Sequence, residues 1–403
     1  MGPVILAWVT RFREISIKGF RRLADVQLEL RPLTVLIGAN GIGKTSLLDV
    51  LSLLASSAQG SLNGAMSELG GLNALLTCDR ADELALGIAA EVEKDAQIPS
   101  GVQIRYVLRI KAQGKGYAIA EEVLSEALPQ GSFNHIDSRG ENIKYRIAGS
   151  HLSAEGPTSF DHVVRPTWEH NPFETSLSQV PKMFWPEDFR RKLASSTLYH
   201  WLNVDPRSPV RLPQPMRPAA LPGKNGEDLI SCLFSLRETE RDRFEAIEDA
   251  LRAAFPAFER LDFPPVAAGT LAMTWRESDF SAPLYAHQLS EGTLRFLWLV
   301  TLLQSPELPA VTLIDEPEVS LRPELLNLLS DLFREASRRT QLVIATHSDR
   351  LVRFLKPAEV VVMDATEDGM AKLTWADKLD LEEWLAEYSL DEVWSRGLLG
   401  GRA

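Results

Sequence analysis

Residues 33–54 read LTVLIGANGIGKTSLLDVLSLL, and this stretch decides the fold. Its opening Leu33-Thr34-Val35-Leu36-Ile37 is an apolar run of strand length. Residues 45–54 carry leucines at helical spacing, which predicts a helix. Between them Gly38-Ala39-Asn40-Gly41-Ile42-Gly43-Lys44-Thr45 fits the phosphate-loop pattern G-x-x-x-x-G-K-[ST] at every fixed position, in the strand–loop–helix context that pattern requires. The glycines let the backbone curl so that its N–H groups point at phosphates. The helix N-terminus adds partial positive charge. Lys44 is placed to reach β- and γ-phosphates, and Thr45 to offer a hydroxyl to Mg²⁺.

Toward the C-terminus, three further elements follow. Val311-Thr312-Leu313-Ile314 is an apolar strand that ends in Asp315-Glu316-Pro317. The first carboxylate can order Mg²⁺ and the second can polarise an attacking water. Leu289-Ser290-Glu291-Gly292-Thr293 opens a helix 25 residues before Asp315. Ser290 there reads as an N-cap or as part of an anion site. Ile344-Ala345-Thr346-His347-Ser348 leaves a third strand, with His347 placed 32 residues after Asp315. An imidazole there can hydrogen-bond a γ-phosphate. Helices over 292–303 and 323–338 alternate with strands over 311–314, 341–345 and 360–363, which predicts a parallel sheet wrapped by helices.

Toward the N-terminus, residues 14–30 read as two strands around a turn, by their alternation of apolar and polar residues. Strands are expected over 88–92, 102–110 and 117–123, the last two joined as a hairpin at Gly114-Lys115-Gly116. Residues 131–176 read as strands with long loops. Six prolines between 206 and 222 predict an extended connector. Residues 229–255 read as one helix, and 261–275 as strands. The expected division is 1–150 with the phosphate loop and an antiparallel β lobe, 151–228 as an irregular, proline-rich insertion, 229–370 with the remaining motifs, and 371–403 as an acidic, aromatic tail.

Composition sets the outer bounds. The chain has 403 residues, a net charge of −12, 45% hydrophobic and 24% charged residues, and two cysteines, Cys78 and Cys232. An ordinary apolar fraction supports a sizeable core. Two cysteines make neither a disulfide framework nor a cysteine-rich zinc site, which points to the cytoplasm. No apolar run reaches the length of a membrane span, and no leader is expected. The acidic balance argues against a whole-surface nucleic-acid binder, though not against a local basic patch. Such a patch is offered by Arg190-Arg191-Lys192 with Arg207, Arg211, Arg217 and Lys224, near Trp168, Phe184, Trp185, Tyr199 and Trp201. A solvated face over a second small core is the favoured reading of that region.

Together the four motifs resemble the ATP-binding cassette class of P-loop ATPases. The opening Ile15-Ser16-Ile17-Lys18-Gly19-Phe20-Arg21-Arg22-Leu23, with residues 289–297 and 314–323, is similar to the RecF, SMC and OLD ATPases, nearest to stand-alone bacterial ATPases of that class. The resemblance covers about the first 55 residues and residues 220–365. It implies an α/β P-loop head with a parallel core sheet, an antiparallel β lobe and a helical insertion. It implies ATP and Mg²⁺ as cofactors, with Gly38, Asn40, Gly41, Gly43, Lys44, Thr45 and Ser46 on the nucleotide and Thr45 and Asp315 on the metal. Ser290, Glu291 and Gly292 look like the signature motif, Glu316 like the catalytic carboxylate, Ser320 like part of the D-loop, and His347 like the switch histidine, with Lys44 assisting catalysis. No Q-loop glutamine stands out, residues 70–79 being the nearest region.

The same resemblance implies two heads pairing head to tail around two ATP, as a homodimer or higher homo-oligomer. It implies a separate effector protein, a nuclease or toxin, in a DNA-associated, repair or phage-defence complex. Several features depart from the class. Lys44 and Ser290 stand 246 residues apart, farther than in transporter cassettes. There is no sustained heptad run as in SMC proteins, and a second catalytic domain like that of OLD nucleases is not expected in the roughly 40 residues after the last sheet strand. Arg322-Pro323 stands where relatives have His-Pro. The alternative is a low-turnover ATP-binding scaffold that regulates a partner. A nuclease in its own right finds no spaced acidic centre to support it. The tail, with Leu381, Trp384, Leu385, Tyr388, Trp394, Leu398 and Leu399, is expected to pack on the head or to dock a partner.

Overall fold

A computed structural model describes residues 8–93, 103–114, 116–128, 131–140, 142–146, 163–164, 169–180, 186–381, 384, 387–397 and 399–400. The strands in chain order are β1 (Trp8–Phe20), β2 (Leu23–Glu29), β3 (Leu33–Gly38), β4 (Glu83–Glu93), β5 (Gln103–Gln113), β6 (Gly116–Leu128), β7 (Gly131–Arg139), β8 (Asn142–Arg146), β9 (Val163–Val164) and β10 (Thr197–Tyr199). Then come the short β11 (Gln214–Pro215), β12 (Phe258–Asp262), β13 (Pro265–Ala267), β14 (Thr270–Leu271), β15 (Thr274–Glu277) and β16 (Leu284–Tyr285). Last are β17 (Val311–Asp315), β18 (Gln341–Ala345), β19 (Val360–Ala365) and β20 (Ala371–Trp375). The helices are α1 (Lys44–Gln59), α2 (Leu62–Glu68), α3 (Leu72–Leu75), α4 (Ser176–Gln179), α5 (Pro186–Ser195), α6 (Leu229–Thr239), α7 (Arg241–Ala254), α8 (Glu291–Gln304), α9 (Leu325–Ala336) and α10 (Asp349–Val352).

The core sheet runs β10-β17-β18-β3-β19-β20, parallel throughout except for β20 at one edge. Its central strands β3, β17 and β18, with the first four residues of β19, are largely buried on both faces, which is why they read as continuous apolar runs. Alternation still sorts their side chains. Val35, Ile37, Ile314 and Ile344 join the cluster that holds α6 to α9, whereas Leu36, Leu313, Val343 and Ala345 join the cluster that holds α1 and the antiparallel sheet. That second sheet, β2-β1-β4-β5-β6-β7-β8-β9, is the expected antiparallel lobe. Helix α1 buries Leu47, Leu48, Val50, Leu51, Leu53 and Leu54, each contributing roughly 1.5–3 kcal/mol.

Three expectations change. Residues 229–255 form two helices, because Glu240 leaves helical backbone (φ −131°, ψ 60°) and separates α6 from α7. Within the stretch read as an irregular insertion, Thr197–Tyr199 joins the core sheet beside β17. Three residues are too few for a periodic signal, and only tertiary pairing defines them. The proline-rich connector carries a single 3₁₀ turn, Pro209–Arg211, started by the proline, and a two-residue strand at the edge of a small sheet, where a missing N–H costs little. Much of the 131–176 stretch, with Trp168, Phe184 and Trp185, lies outside the described residues.

The tail packs on the head. Leu381, Leu390, Val393, Trp394 and Leu399 are buried in the same cluster as α8 and α9. The helix Leu390–Ser395 lies against α10. Leu385 and Leu398 lie outside the described residues. Among the described residues no helix is long and apolar enough to cross a membrane.

Candidate nucleotide site

Register places the motif residues together. In the core sheet Asp315 stands opposite Ala345, Ala345 opposite Leu36, and Gly38 opposite Met363. The phosphate loop, the Asp315-Glu316 pair and Thr346-His347 therefore all leave the carboxyl ends of neighbouring parallel strands, the edge where open α/β sheets bind ligands.

The loop is built for close approach. Gly38 has φ +149°, and a Cβ there would lie 2.4 Å from the Met363 carbonyl oxygen on β19. Gly41 has φ +75° and open space where its side chain would be. Helix α1 starts after Gly43 with no side-chain cap and no acid in its first turn. Its first N–H groups therefore remain available to an anion. Lys44 is buried and curls over the loop, donating to the carbonyls of Gly38 (2.5 Å) and Ala39 (2.9 Å). Burial pulls its pKa down to about 8, against the opposing pull of Glu316, Asp315 and Glu318.

Thr45 donates from Oγ1 to Asp315 Oδ2 at 3.4 Å. A hydroxyl and a carboxylate side by side suit Mg²⁺, which takes few protein ligands and completes its shell with water and phosphate oxygens. Among the described residues no group of three or more His, Cys, Asp and Glu forms an all-protein metal cage. Glu316 holds a left-handed backbone, φ +48°, fixed by its N–H donating to the Ala345 carbonyl at 2.9 Å. Such strain costs of order 1–3 kcal/mol and concentrates at functional sites. His347 Nε2 lies 3.5 Å from Glu316 Oε1. Burial first, and then the Lys44 charge, push the His347 pKa down, which favours the neutral ring.

Three participants escaped the sequence reading. His200, just past β10, sits with Nδ1 3.7 Å from Asp315 Oδ2, and that carboxylate raises its pKa. Glu318 accepts from Thr346 Oγ1 at 2.6 Å and from the N–H groups of His347 (3.1 Å) and Ser348 (3.2 Å), which pins the His347 turn. Its other oxygen, Oε2, is buried with no hydrogen-bond partner, and burial raises its pKa. Arg21, also at positive φ, donates to Asp49 at 2.7 Å and reaches Ser46 Oγ at 3.4 Å on α1. Arg21 and Glu318 lie inside stretches that carry the resemblance, but the sequence gives none of the three its contact, since each depends on a neighbouring strand or helix.

The Ser290 region is separate. Ser290 Oγ accepts from Thr293 N–H at 3.1 Å and caps α8, with Glu291 in the first turn. Gly292 faces Ser320 so closely that a Cβ would lie 2.6 Å from the Ser320 carbonyl oxygen. Arg295 ties the same helix to Ser320 Oγ at 3.0 Å and to the Val319 carbonyl at 3.3 Å. Arg211 donates to the Leu289 carbonyl at 2.9 Å, bracing the residue before Ser290.

The basic middle segment is dispersed. Arg190 pairs with Glu187, Arg217 with Asp228, and Arg191 and Lys192 with Asp188. Tyr199 is buried, and Trp201 is exposed beneath the Arg295 guanidinium. Among the described residues, four of these cations are therefore paired with carboxylates, and Trp201 is the exposed aromatic of the pair Tyr199 and Trp201.

The family model described as "AAA domain, putative AbiEii toxin, Type IV TA system" matches residues 33–353. Among solved structures, the chain resembles an Smc head bound to the C-winged helix domain of ScpA, at 15% identity and a TM-score of 0.55, covering 90% of this chain and 97% of that one. It also resembles an Smc head with an extended coiled coil, bound to the C-terminal domain of ScpA and derived from Pyrococcus furiosus. That match has 13% identity and a TM-score of 0.54, and covers 94% of this chain and 100% of the other. These two likenesses are of fold. No curated protein sequence matches the chain.

Proposed function

The chain belongs to the family described as AAA domain, putative AbiEii toxin, Type IV TA system, an ABC-type P-loop ATPase of the SMC and RecF class, and from that premise we propose that it hydrolyses ATP as a head that pairs with a second copy. The observation that carries this reading is the meeting of Lys44, Thr45, Asp315, Glu316 and His347 at one edge of the core sheet. In this reading the N–H groups of residues 38–46 and the Lys44 ammonium hold the β- and γ-phosphates, with Asn40 and Ser46 beside them. Thr45 and Asp315 hold Mg²⁺, which would supply charge neutralisation. Glu316 orients the attacking water and accepts its proton. Neutral His347 donates a hydrogen bond toward the γ-phosphate from a turn fixed by Glu318. Catalysis of this type is mainly positioning and electrostatics.

Ser290, Glu291, Gly292 and Ser320 belong, in the same reading, to the surface that closes on a partner copy's nucleotide. The two Smc heads were captured with a partner protein, and the family description names a toxin–antitoxin system. Both support a separate effector for this chain, within a DNA-associated or defence complex.

The test is Glu316→Gln. Hydrolysis is expected to fall about 10²-fold or more, at least ~2.7 kcal/mol of barrier, while ATP binding persists. Light scattering of that variant should show the mass doubling with MgATP, and Lys44→Ala should abolish the doubling. Wild-type turnover in Glu316→Gln would sink the catalytic assignment. A mass indifferent to ATP would sink the paired-head assignment.

A further inference from the structure

A cleft lies at the opposite end of the core sheet from the nucleotide site. Its volume is about 730 Å³, within the range of small-ligand sites. Pro32, Ala310 and Gln341 line it, immediately before or at the start of β3, β17 and β18. Asp315 and His347 lie at the other ends of two of those strands, roughly 17 Å away at about 3.3 Å per residue.

Charge distinguishes this cleft. Arg11, Arg191, Lys192, Arg338 and Arg339 line it, with Glu307 as the acidic lining residue. Asp188 pairs with Arg191 and Lys192 from outside the lining, and Glu91 lies 3.7 Å from Arg11. Counting those carboxylates, among the described residues five cations face three anions, on a chain whose net charge is −12. The bonds of Arg339 go to neutral acceptors, the carbonyls of Leu303 and Ser305, both at 2.5 Å, so they fix the guanidinium without cancelling its charge. Arg338 is exposed at the rim.

We propose that this cleft binds a phosphate-bearing ligand with two or more anionic groups, of nucleotide size, independently of the phosphate loop. Four of the five cations are arginines, whose planar forks match phosphate oxygens in pairs. A concave wall of several such groups concentrates positive potential where a compact polyanion fits, and a flat surface does not. Two sources carry this chemistry: a free polyphosphate or nucleotide, and the backbone of a nucleic-acid strand.

The experiment uses the full chain carrying Lys44→Ala, which disables the phosphate loop and so separates this proposal from the ATPase reading. Two probes are titrated by calorimetry and fluorescence anisotropy: inorganic tripolyphosphate and a labelled single-stranded 12-nucleotide DNA. At least one is expected to bind, and adding Arg338→Glu with Arg191→Gln should weaken it about tenfold or more. Tripolyphosphate binding alone supports the free-ligand source. DNA binding alone, with the same loss, supports the strand source. Tripolyphosphate displacing the DNA supports one shared cleft. In the otherwise wild-type chain the two cleft substitutions should leave ATP turnover unchanged, which controls for folding. Binding of neither probe to Lys44→Ala overturns the proposal, and so does binding that the cleft substitutions leave unchanged.

Discussion

In the proposed function nucleotide binding turns on Lys44, and the environment of that residue predicts a pH dependence. Burial has lowered its pKa to about 8. Phosphate oxygens would favour the charged form and raise the pKa again. Above pH 8 binding must therefore take up a proton, and ATP affinity should fall by up to about tenfold per pH unit. Lys44→Arg stays charged throughout and should flatten the profile. Dissociation constants at pH 7, 8 and 9 check this, and a slope unchanged in Lys44→Arg would refute it. His200 works in the opposite sense on the metal side. Asp315 raises its pKa, so at low pH a charged ring competes with Mg²⁺ for that carboxylate. The Mg²⁺ concentration for half-maximal turnover should fall as pH rises through the imidazole's titration, and His200→Gln should remove the trend. The phosphate loop and Asp315-Glu316 were legible from spacing because their chemistry needs contiguous residues. The contacts of His200, Glu318 and Arg21 were not, because each acts across a gap in the chain that only folding closes.

At the scale of elements, α8 and the Ser320 turn behave as one piece. Gly292 lies in the first turn of α8, where alanine would ordinarily be favoured, by up to about 1 kcal/mol in a helix interior. The contact with the Ser320 carbonyl outweighs that preference, since a Cβ at 2.6 Å from backbone oxygen forces the two segments apart. Gly292→Ala in the Glu316→Gln background should keep ATP binding by its own phosphate loop and lose the ATP-driven doubling of mass. An unchanged doubling would mean that α8 and the Ser320 turn move independently. Periodicity located α8, α9 and the apolar strands because each is long and one-sided or fully buried. It fused α6 with α7, because the break at Glu240 is a change of backbone angle in a residue compatible with helix. It passed over β10 for want of length. Yet β10 carries His200 to Asp315, so the element least visible in the sequence brings an imidazole to the carboxylate proposed to hold Mg²⁺.

For the whole molecule the tail is the instructive case, because its aromatic residues supported two readings. One made it a dock for another protein, and the other made it part of the head. Leu390, Val393, Trp394 and Leu399 lie in one apolar cluster with α8, α9 and α10, so the end of the chain closes the core that supports the Ser290 helix. Removing a buried tryptophan side chain typically costs 3–5 kcal/mol. Trp394→Ala should therefore lower unfolding stability by about that amount, read from the urea midpoint at unchanged slope. A chain ending at Asp380 should melt well below the full protein even with no partner present. Unchanged melting in both would return the tail to the docking reading. The expected loss would instead assign these buried side chains to the core of the head, leaving any docking of the proposed effector to exposed residues such as Trp384 or to another face. Mapping it by truncating the tail would then measure unfolding rather than recognition.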